Sequence, residues 1–221
     1  VYRDVDVFEE VLRIFGYEKI DNAKNISFPI IGSNKSYEID DVKKITSNFL
    51  SNIGFFEIKT NSLISLKILE RYNIENIGVN IINAASADMN VLRPSLLFGG
   101  LEVVRHNINR QNYNLLLFEF GNIYLKEGSC VEKPSLDLFF SGNYLEENWN
   151  QKADKLNLFS VKGYVEKIFK LFSFDWIADT NEDLMDALNI MKDVFENSFV
   201  YKVNDKVIAK LGSVSDRILK D

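Results

Sequence analysis

The sequence has few of the residues that build disulfide frameworks, metal centres or nucleophilic active sites. Among 221 residues there is one cysteine, Cys130, and one histidine, His106. A single cysteine excludes an internal disulfide framework and fits a reducing compartment, so we expect a cytoplasmic protein. No metal ligand or nucleophile accompanies His106 in the sequence, and we interpret it as a surface or helix-packing residue.

Long apolar runs and an excess of positive charge are missing as well. No stretch approaches the length of a membrane span, and no signal peptide is recognisable. The net charge of -6 argues against a surface built as a whole to bind nucleic acid. The hydrophobic content of 46% is ample for one large domain, or for one domain and a fragment. Because the chain opens with Val1 and enters structured sequence at once, we expect it to be a piece of a longer protein.

Apolar side chains at helical spacing predict four helices, and alternating or β-branched runs predict five strands. Gly16 and Gly54 follow two of the helices as C-terminal signals, and Gly121 inside a strand indicates a bulge or a close backbone approach. Adjacent strands favour an α+β domain with an antiparallel sheet packed by helices. The predicted helices are Asp6–Phe15, Tyr37–Ile53, Leu96–Arg110 and one marked by Val161, Val165, Ile168, Phe169 and Phe172; the predicted strands are Phe55–Lys59, Asn114–Tyr124, Leu136–Ser141, Phe199–Val203 and Val207–Leu211.

One acidic set on the first predicted helix could hold a metal ion. Asp6, Glu9 and Glu10 are spaced i, i+3 and i+4, so their carboxylates project from one region of a helical turn. Carboxylate oxygens are ligands that Mg²⁺ prefers. The same spacing is typical of a helix start, in which Asp6 caps the first turn and the acidic groups complement the helix dipole. Spacing alone favours the capping interpretation.

The basic residues give no clear binding site. Arg93 precedes Pro94 and could bind a substrate, but a structural ion pair at this loop-to-helix junction is favoured. Arg105, Arg110 and Lys126 are dispersed, which predicts a solvated face rather than an RNA-binding platform.

Several motifs, in order, resemble bacterial phenylalanyl-tRNA synthetase β-chains. The opening DVFEEVLRIFGY at Asp6–Tyr17 resembles the end of the small domain that precedes the synthetase-like core. The later landmarks are LRPSLL at Leu92–Leu97 with Gly99, Leu101, Glu102, Asn107, Asn109 and Arg110; LFEFGNIY at Leu117–Tyr124; Asn148-Trp149; Phe159, Lys162, Gly163, Val165 and Glu166; and Gly212. Phe98, Gly100 and Asn83-Ala84 depart from the family pattern.

The resemblance implies a class II synthetase-like core that has lost its active site. Class II catalysis uses arginines on the central sheet to hold ATP phosphates. The strand Asn114–Tyr124 has none, and its only charged residue is Glu119. The implied domains are 1–28 as the tail of the small metal-associated domain, 29–36 as a linker and 37–221 as the core; Asp21–Lys35 has the composition of a linker.

The resemblance also implies ligands and partners. It assigns Mg²⁺ to Asp6, Glu9 and Glu10 in the full assembly, with a further aspartate expected just before Val1. It implies an α-chain that binds ATP, an αβ pair doubled into a heterotetramer, and tRNA bound through the whole assembly. The implied function is structural support of an enzyme that attaches phenylalanine to tRNA. A stand-alone ligase and a regulatory small-molecule-binding protein are the alternatives.

The resemblance implies that the helix Tyr37–Ile53 and the strand Phe55–Lys59 form the unit through which class II cores pair. Val42, Ile45, Phe49 and Ile53 form its inward stripe, whereas Ile39 and Phe55 lie away from the centre of that stripe. We therefore predict an exposed apolar surface here for a partner chain. The competing interpretation is that all these side chains belong to the domain's own core.

Overall fold

The structure is a computed structural model that describes residues 3–20, 38–145, 147–179, 194–204 and 206–219. The chain divides into two compact units, Val1–Tyr37 and Glu38–Asp221. The predicted linker, whether taken as 29–36 or as Asp21–Lys35, lies outside the described residues. The proposed domain boundaries therefore stay predictions.

The described part of the first unit is one helix, α1 (Asp4–Phe15), followed by a 3-10 turn at Tyr17–Lys19. The helix ends at Gly16, which has a φ of +99° and donates its backbone N–H to the carbonyl oxygen of Leu12 at 2.8 Å. A positive φ at this position favours glycine. The predicted helix and its end are confirmed, and its start lies two residues earlier than predicted.

The second unit contains five helices in its described part. Gly54, which follows the first of these helices, has a φ of +95°. There Gly54 donates its N–H to Ser51 at 3.2 Å, and Phe55 donates to Leu50 at 3.0 Å, which is the Schellman pattern. The helices are α2 (Ile39–Asn52), α3 (Leu66–Arg71), α4 (Leu97–Ile108), α5 (Leu158–Leu171) and α6 (Asp216–Leu219).

A long hairpin forms the centre of the second unit. Strands β5 (Leu115–Glu127) and β6 (Ser129–Ser141) pair antiparallel without a break in register, and β1 (Phe56–Glu57) pairs parallel to β5. The unbroken register rules out a bulge at Gly121. Both hairpin strands are longer than predicted, and β1 corrects the expectation of a purely antiparallel sheet.

The remaining strands form three small sheets. The hairpin predicted near the end of the chain is confirmed and is extended on both sides, although Asp205 in its turn lies outside the described residues. A sequence pattern cannot define strands of two or three residues. The sheets are β2 (Leu63–Ile64), β4 (Val91–Leu92) and β3 (Val79–Asn80) in that order; β11 (Lys206–Val214), β10 (Phe195–Val203) and β9 (Ile177–Asp179); and β7 (Asn143–Leu145) with β8 (Asp154–Lys155).

Helices cover both faces of the β5–β6 hairpin. On one face Leu117 and Phe139 pack with Leu97 of α4. On the other face Phe118 packs with Leu50 of α2 and Ile168 of α5. Side chains alternate between the faces of a strand, so β5 supplies both cores. The predicted α+β class is confirmed.

Candidate functional site: a buried charge network and a polar cavity

A buried ion pair ties the segment after β4 to the central hairpin. Arg93 Nη1 lies 2.9 Å from Glu119 Oε1, and the two side chains are 2% and 0% exposed. The backbone of Arg93 donates to the carbonyl oxygen of Ser62 at 2.9 Å and accepts from the N–H of Tyr124 at 3.0 Å. The predicted structural ion pair is confirmed.

Hydrogen bonds compensate both charges of this pair. Arg93 Nε donates to the carbonyl oxygen of Asn122 at 3.1 Å, and its Nη1 donates to Thr60 Oγ1 at 2.8 Å. The Thr60 hydroxyl donates to Glu119 Oε2 at 2.7 Å, and the Thr60 backbone N–H donates to Glu119 Oε1 at 3.2 Å. Burying two charges is tolerated only when such partners are present.

Two glycines make room for the network. A Cβ atom on Gly121 would lie 2.3 Å from Arg93 Nη2, and one on Gly99 would lie 2.5 Å from Thr60 Oγ1. Both distances are shorter than non-bonded contacts allow. The second explanation for Gly121, a close approach to another part of the protein, is therefore confirmed, and the group that approaches is the guanidinium.

A second carboxylate faces the pair across the hairpin. Asp137 on β6 lies directly opposite Glu119 and accepts a hydrogen bond from the Ser135 hydroxyl at 3.0 Å. Burial raises the pKa of Asp137 to about 6; the Ser135 hydrogen bond opposes this, the charge of Glu119 adds to it, and Arg93 opposes it. Sequence reasoning missed Asp137, because its position opposite Glu119 depends on the strand register.

A polar cavity of about 170 Å³ adjoins the network. Lys43 of α2, Lys59 after β1 and Arg93 bring three cationic side chains from separate elements to its wall. Lys59 Nζ donates to the carbonyl oxygen of Phe120 at 3.2 Å. Sequence reasoning missed both lysines, since nothing in their spacing indicates that they meet. The complete lining is Lys43, Lys59, Ser62, Arg93, Phe120, Gly121, Asn122 and Tyr124.

The β5–β6 hairpin contains no arginine over its whole length, including the parts beyond the predicted strands. Its charged residues are Glu119, Lys126, Glu127, Glu132, Lys133 and Asp137. His106, Arg105, Arg110 and Lys126 are all exposed. This agrees with a surface role for the histidine and with a solvated basic face.

The three carboxylates predicted as metal ligands lie on α1. Asp6 accepts a hydrogen bond from Arg3 and Glu10 accepts one from Arg13, each at 3.2 Å. Among the residues that the structure describes, no three histidine, cysteine, aspartate or glutamate side chains are grouped closely enough to hold a metal ion. The assignment of Mg²⁺ to Asp6, Glu9 and Glu10 therefore stays a prediction.

The capping interpretation of Asp6 is wrong. The helix begins at Asp4, its N-cap is Arg3, and that residue makes no side-chain capping hydrogen bond. Asp6 is the third residue of the helix, so its carboxylate cannot cap the start. Asp4 and Asp6 both lie in the first turn, where negative charge complements the helix dipole.

The surface predicted for a partner is present but contains a different phenylalanine. Phe55 is 3% exposed and packs its ring edge-to-face on Phe140 and Tyr164. Phe56 is 73% exposed and Ile39 is 53% exposed. The Schellman turn directs Phe55 back onto α2, so it is Phe56 that points outward. The prediction for Phe55 is wrong.

No helix in the described ranges is long and apolar enough to cross a membrane.

Comparison with solved structures identifies the class of fold. The chain superposes on pyrrolysyl-tRNA synthetase from Desulfitobacterium hafniense with a TM-score of 0.51 and 17% sequence identity, covering 77% of this chain and 57% of that one. At this identity the likeness shows the fold alone. The two proteins therefore share a fold.

Comparison of sequences identifies the family. The family described as the phenylalanyl tRNA synthetase beta chain CLM domain matches residues 27–221, and the chain belongs to it. A phenylalanine–tRNA ligase beta subunit from Bacteroides fragilis is 31% identical over the whole chain, and one from Thermotoga maritima is 32% identical over 76% of it. The chain spans 28% of the Bacteroides protein and 21% of the Thermotoga protein.

Proposed function

We propose that this chain is the non-catalytic structural core of the β-chain of phenylalanyl-tRNA synthetase. In this role it supports an α-chain that binds ATP and attaches phenylalanine to tRNA, within an assembly of two αβ pairs. Membership of the β-chain family supports the proposal. A stand-alone ligase and a small-molecule regulator are not favoured by the relatives, which are named as β-subunits.

The buried Arg93–Glu119 pair carries the non-catalytic part of the proposal. Class II catalysis uses arginines on the central sheet to hold the ATP phosphates. The hairpin offers no arginine of its own, and the guanidinium that reaches it from Arg93 is already compensated by Glu119 and is 2% exposed. A carboxylate at the centre of β5 also repels phosphate.

Phenylalanine-dependent ATP–pyrophosphate exchange tests this directly. The purified chain should stay at the background rate, whereas the assembled αβ enzyme from the same source should exchange under identical conditions. Phenylalanine-dependent exchange above background by the chain alone would refute the non-catalytic role.

Ile39 and Phe56 are proposed to contact the α-chain. Both lie at the α2–β1 unit and leave large apolar side chains in solvent, as an obligate interface requires before assembly. Changing both to aspartate in the full β-chain should reduce co-purification with the α-chain at least about tenfold. Ile82→Asp is the control, because Ile82 is 97% exposed and lies outside the α2–β1 unit. Unchanged complex formation by the double variant would place the interface on another face.

Asp6, Glu9 and Glu10 are proposed as Mg²⁺ ligands only in the assembled enzyme, together with ligands from outside this chain. Binding would require Asp6 and Glu10 to leave their arginine partners, which exposed pairs do at little cost. Replacing Glu9 and Glu10 by glutamine in the full enzyme should lower its bound magnesium and its thermal stability. Glu18→Gln, also on an exposed residue of this unit, is the control. Unchanged metal content would refute the assignment of Mg²⁺ to these three carboxylates.

A further inference from the structure

The cavity beside β5 has a wall that suits a small anion. Its charged lining consists of Lys43, Lys59 and Arg93, and the remaining groups include the hydroxyl-bearing Ser62 and Tyr124. Glu119 compensates Arg93, so the two lysines supply the charge that remains for a ligand. We propose that this cavity binds a small oxyanion of the phosphate type.

The two ammonium groups are held at the cavity from different elements. Lys59 uses one donor on the carbonyl oxygen of Phe120, and an ammonium group has three donors. Lys43 lies 3.8 Å from Asp40, whose side chain is 89% exposed, so this pair is loose and its attraction is screened by water. An incoming anion can compete for both lysines without breaking a buried interaction.

Gly121 contributes to the site through its missing side chain. Gly121 lines the cavity, and Arg93 Nη2 lies 2.3 Å from the position that a Cβ atom would take. The guanidinium edge is thereby brought to the cavity wall next to the strand backbone. Glu119 and Thr60 occupy this guanidinium, so the ammonium groups of Lys43 and Lys59 are the charged donors for a ligand.

Acidic groups near the cavity limit the affinity. Glu132 accepts hydrogen bonds from Asn122 Nδ2 and from the Tyr124 hydroxyl, so one carboxylate lies beside two lining residues. Burial is the larger cause, and the hydrogen bond to Glu132 the next, of the raised pKa of Tyr124. The Tyr124 hydroxyl therefore stays protonated at neutral pH and adds no negative charge to the wall.

The cavity volume restricts the size of the ligand. About 170 Å³ is well below the roughly 300–1,000 Å³ typical of sites that enclose a drug-sized molecule. A phosphate group fits inside, whereas the base and sugar of a nucleotide would have to lie outside. The shared chemistry is thus a phosphate-type oxyanion, either free or at the end of a larger molecule.

Calorimetric titration of the full chain with inorganic phosphate tests the site, with chloride at equal ionic strength as the salt control. Phosphate should bind saturably, and Lys43→Gln and Lys59→Gln should each weaken binding roughly 3- to 10-fold. Lys44→Gln removes the same charge from the next, exposed residue of α2, which does not line the cavity. This control should bind phosphate as the unmodified chain does.

Titration with adenosine monophosphate distinguishes the two sources. Affinity equal to that of inorganic phosphate supports a free oxyanion, and tighter binding supports the phosphate end of a larger ligand. Absence of saturable phosphate binding would overturn the inference. So would equal weakening by all three lysine variants, since that result would reflect net charge rather than this cavity.

Discussion

Asp137 should make the stability of this fold depend on pH in an unusual direction. Its pKa in the folded chain is about 6, against 3.8 for an unperturbed aspartate, so the folded state holds the proton more tightly than the unfolded state. This favours folding below pH 4. The advantage is lost as the pH rises from about 4 through 6, and above that the ionised carboxylate opposes folding.

The variant Asp137→Asn removes this titration while keeping the shape of the side chain. A shift of about two units corresponds to about 3 kcal/mol, and the half-buried position of the side chain reduces the effect through water screening. We therefore expect the variant to be more stable than the unmodified chain by about 1–2 kcal/mol at pH 8, and nearly equal in stability at pH 4.

Urea unfolding at several pH values, followed by circular dichroism, measures the difference. Comparing the two proteins at each pH cancels the titration of all other carboxylates, provided that the urea m-values agree. Asp154→Asn, at an exposed position on β8, is the control and should show no such trend. A stability difference for Asp137→Asn that is constant from pH 4 to pH 8 would refute the reasoning.

Three further substitutions test the packing and the charge network. Glu119→Gln should destabilise the fold by about 3–5 kcal/mol in urea unfolding, because it leaves the Arg93 charge buried without a counter-ion; a cost below about 1 kcal/mol would contradict that account. Phe55→Ala should cost about 3–5 kcal/mol, whereas Phe56→Ala, at 73% exposure, should stay within about 0.5 kcal/mol; equal effects would show that the two environments are misassigned. Gly121→Ala should lower the melting temperature measurably, since its Cβ would meet the guanidinium, and an unchanged value would mean that Arg93 can move aside freely.

The features that sequence could predict are those set by local rules. The helix ends at Gly16 and Gly54 and the apolar stripe of α2 follow from capping and periodicity, and both glycines have the expected positive φ. The structural ion pair of Arg93 is also a prediction from the sequence that the structure confirms. These predictions needed no knowledge of which strands are neighbours.

The features that the sequence does not predict depend on which strands pair and on the residue at which a helix begins. Asp137 faces Glu119 only because the hairpin places these residues in register, and Lys43 meets Lys59 only because α2 packs beside β1. Asp6 was misassigned as a cap because two further residues, Asp4 and Val5, precede it in the helix. Phe55 is buried because the Schellman turn at Gly54 returns it to α2, which the apolar stripe of the helix alone does not indicate.

The Arg93–Glu119 pair gives a physical reason why the elements around the central hairpin keep their arrangement. The pair and its hydrogen bonds connect the segment before β2, the residue after β4 and the centre of β5, and α4 begins four residues after Arg93. Such a network penalises any arrangement of these elements that separates the charges, because an unpaired buried charge is costly. The same interactions occupy the guanidinium that would otherwise be available to phosphates at the middle of the strand. In this protein the guanidinium of Arg93 therefore stabilises the fold. Lys43 and Lys59 at the neighbouring cavity are the cationic groups that can bind an anion.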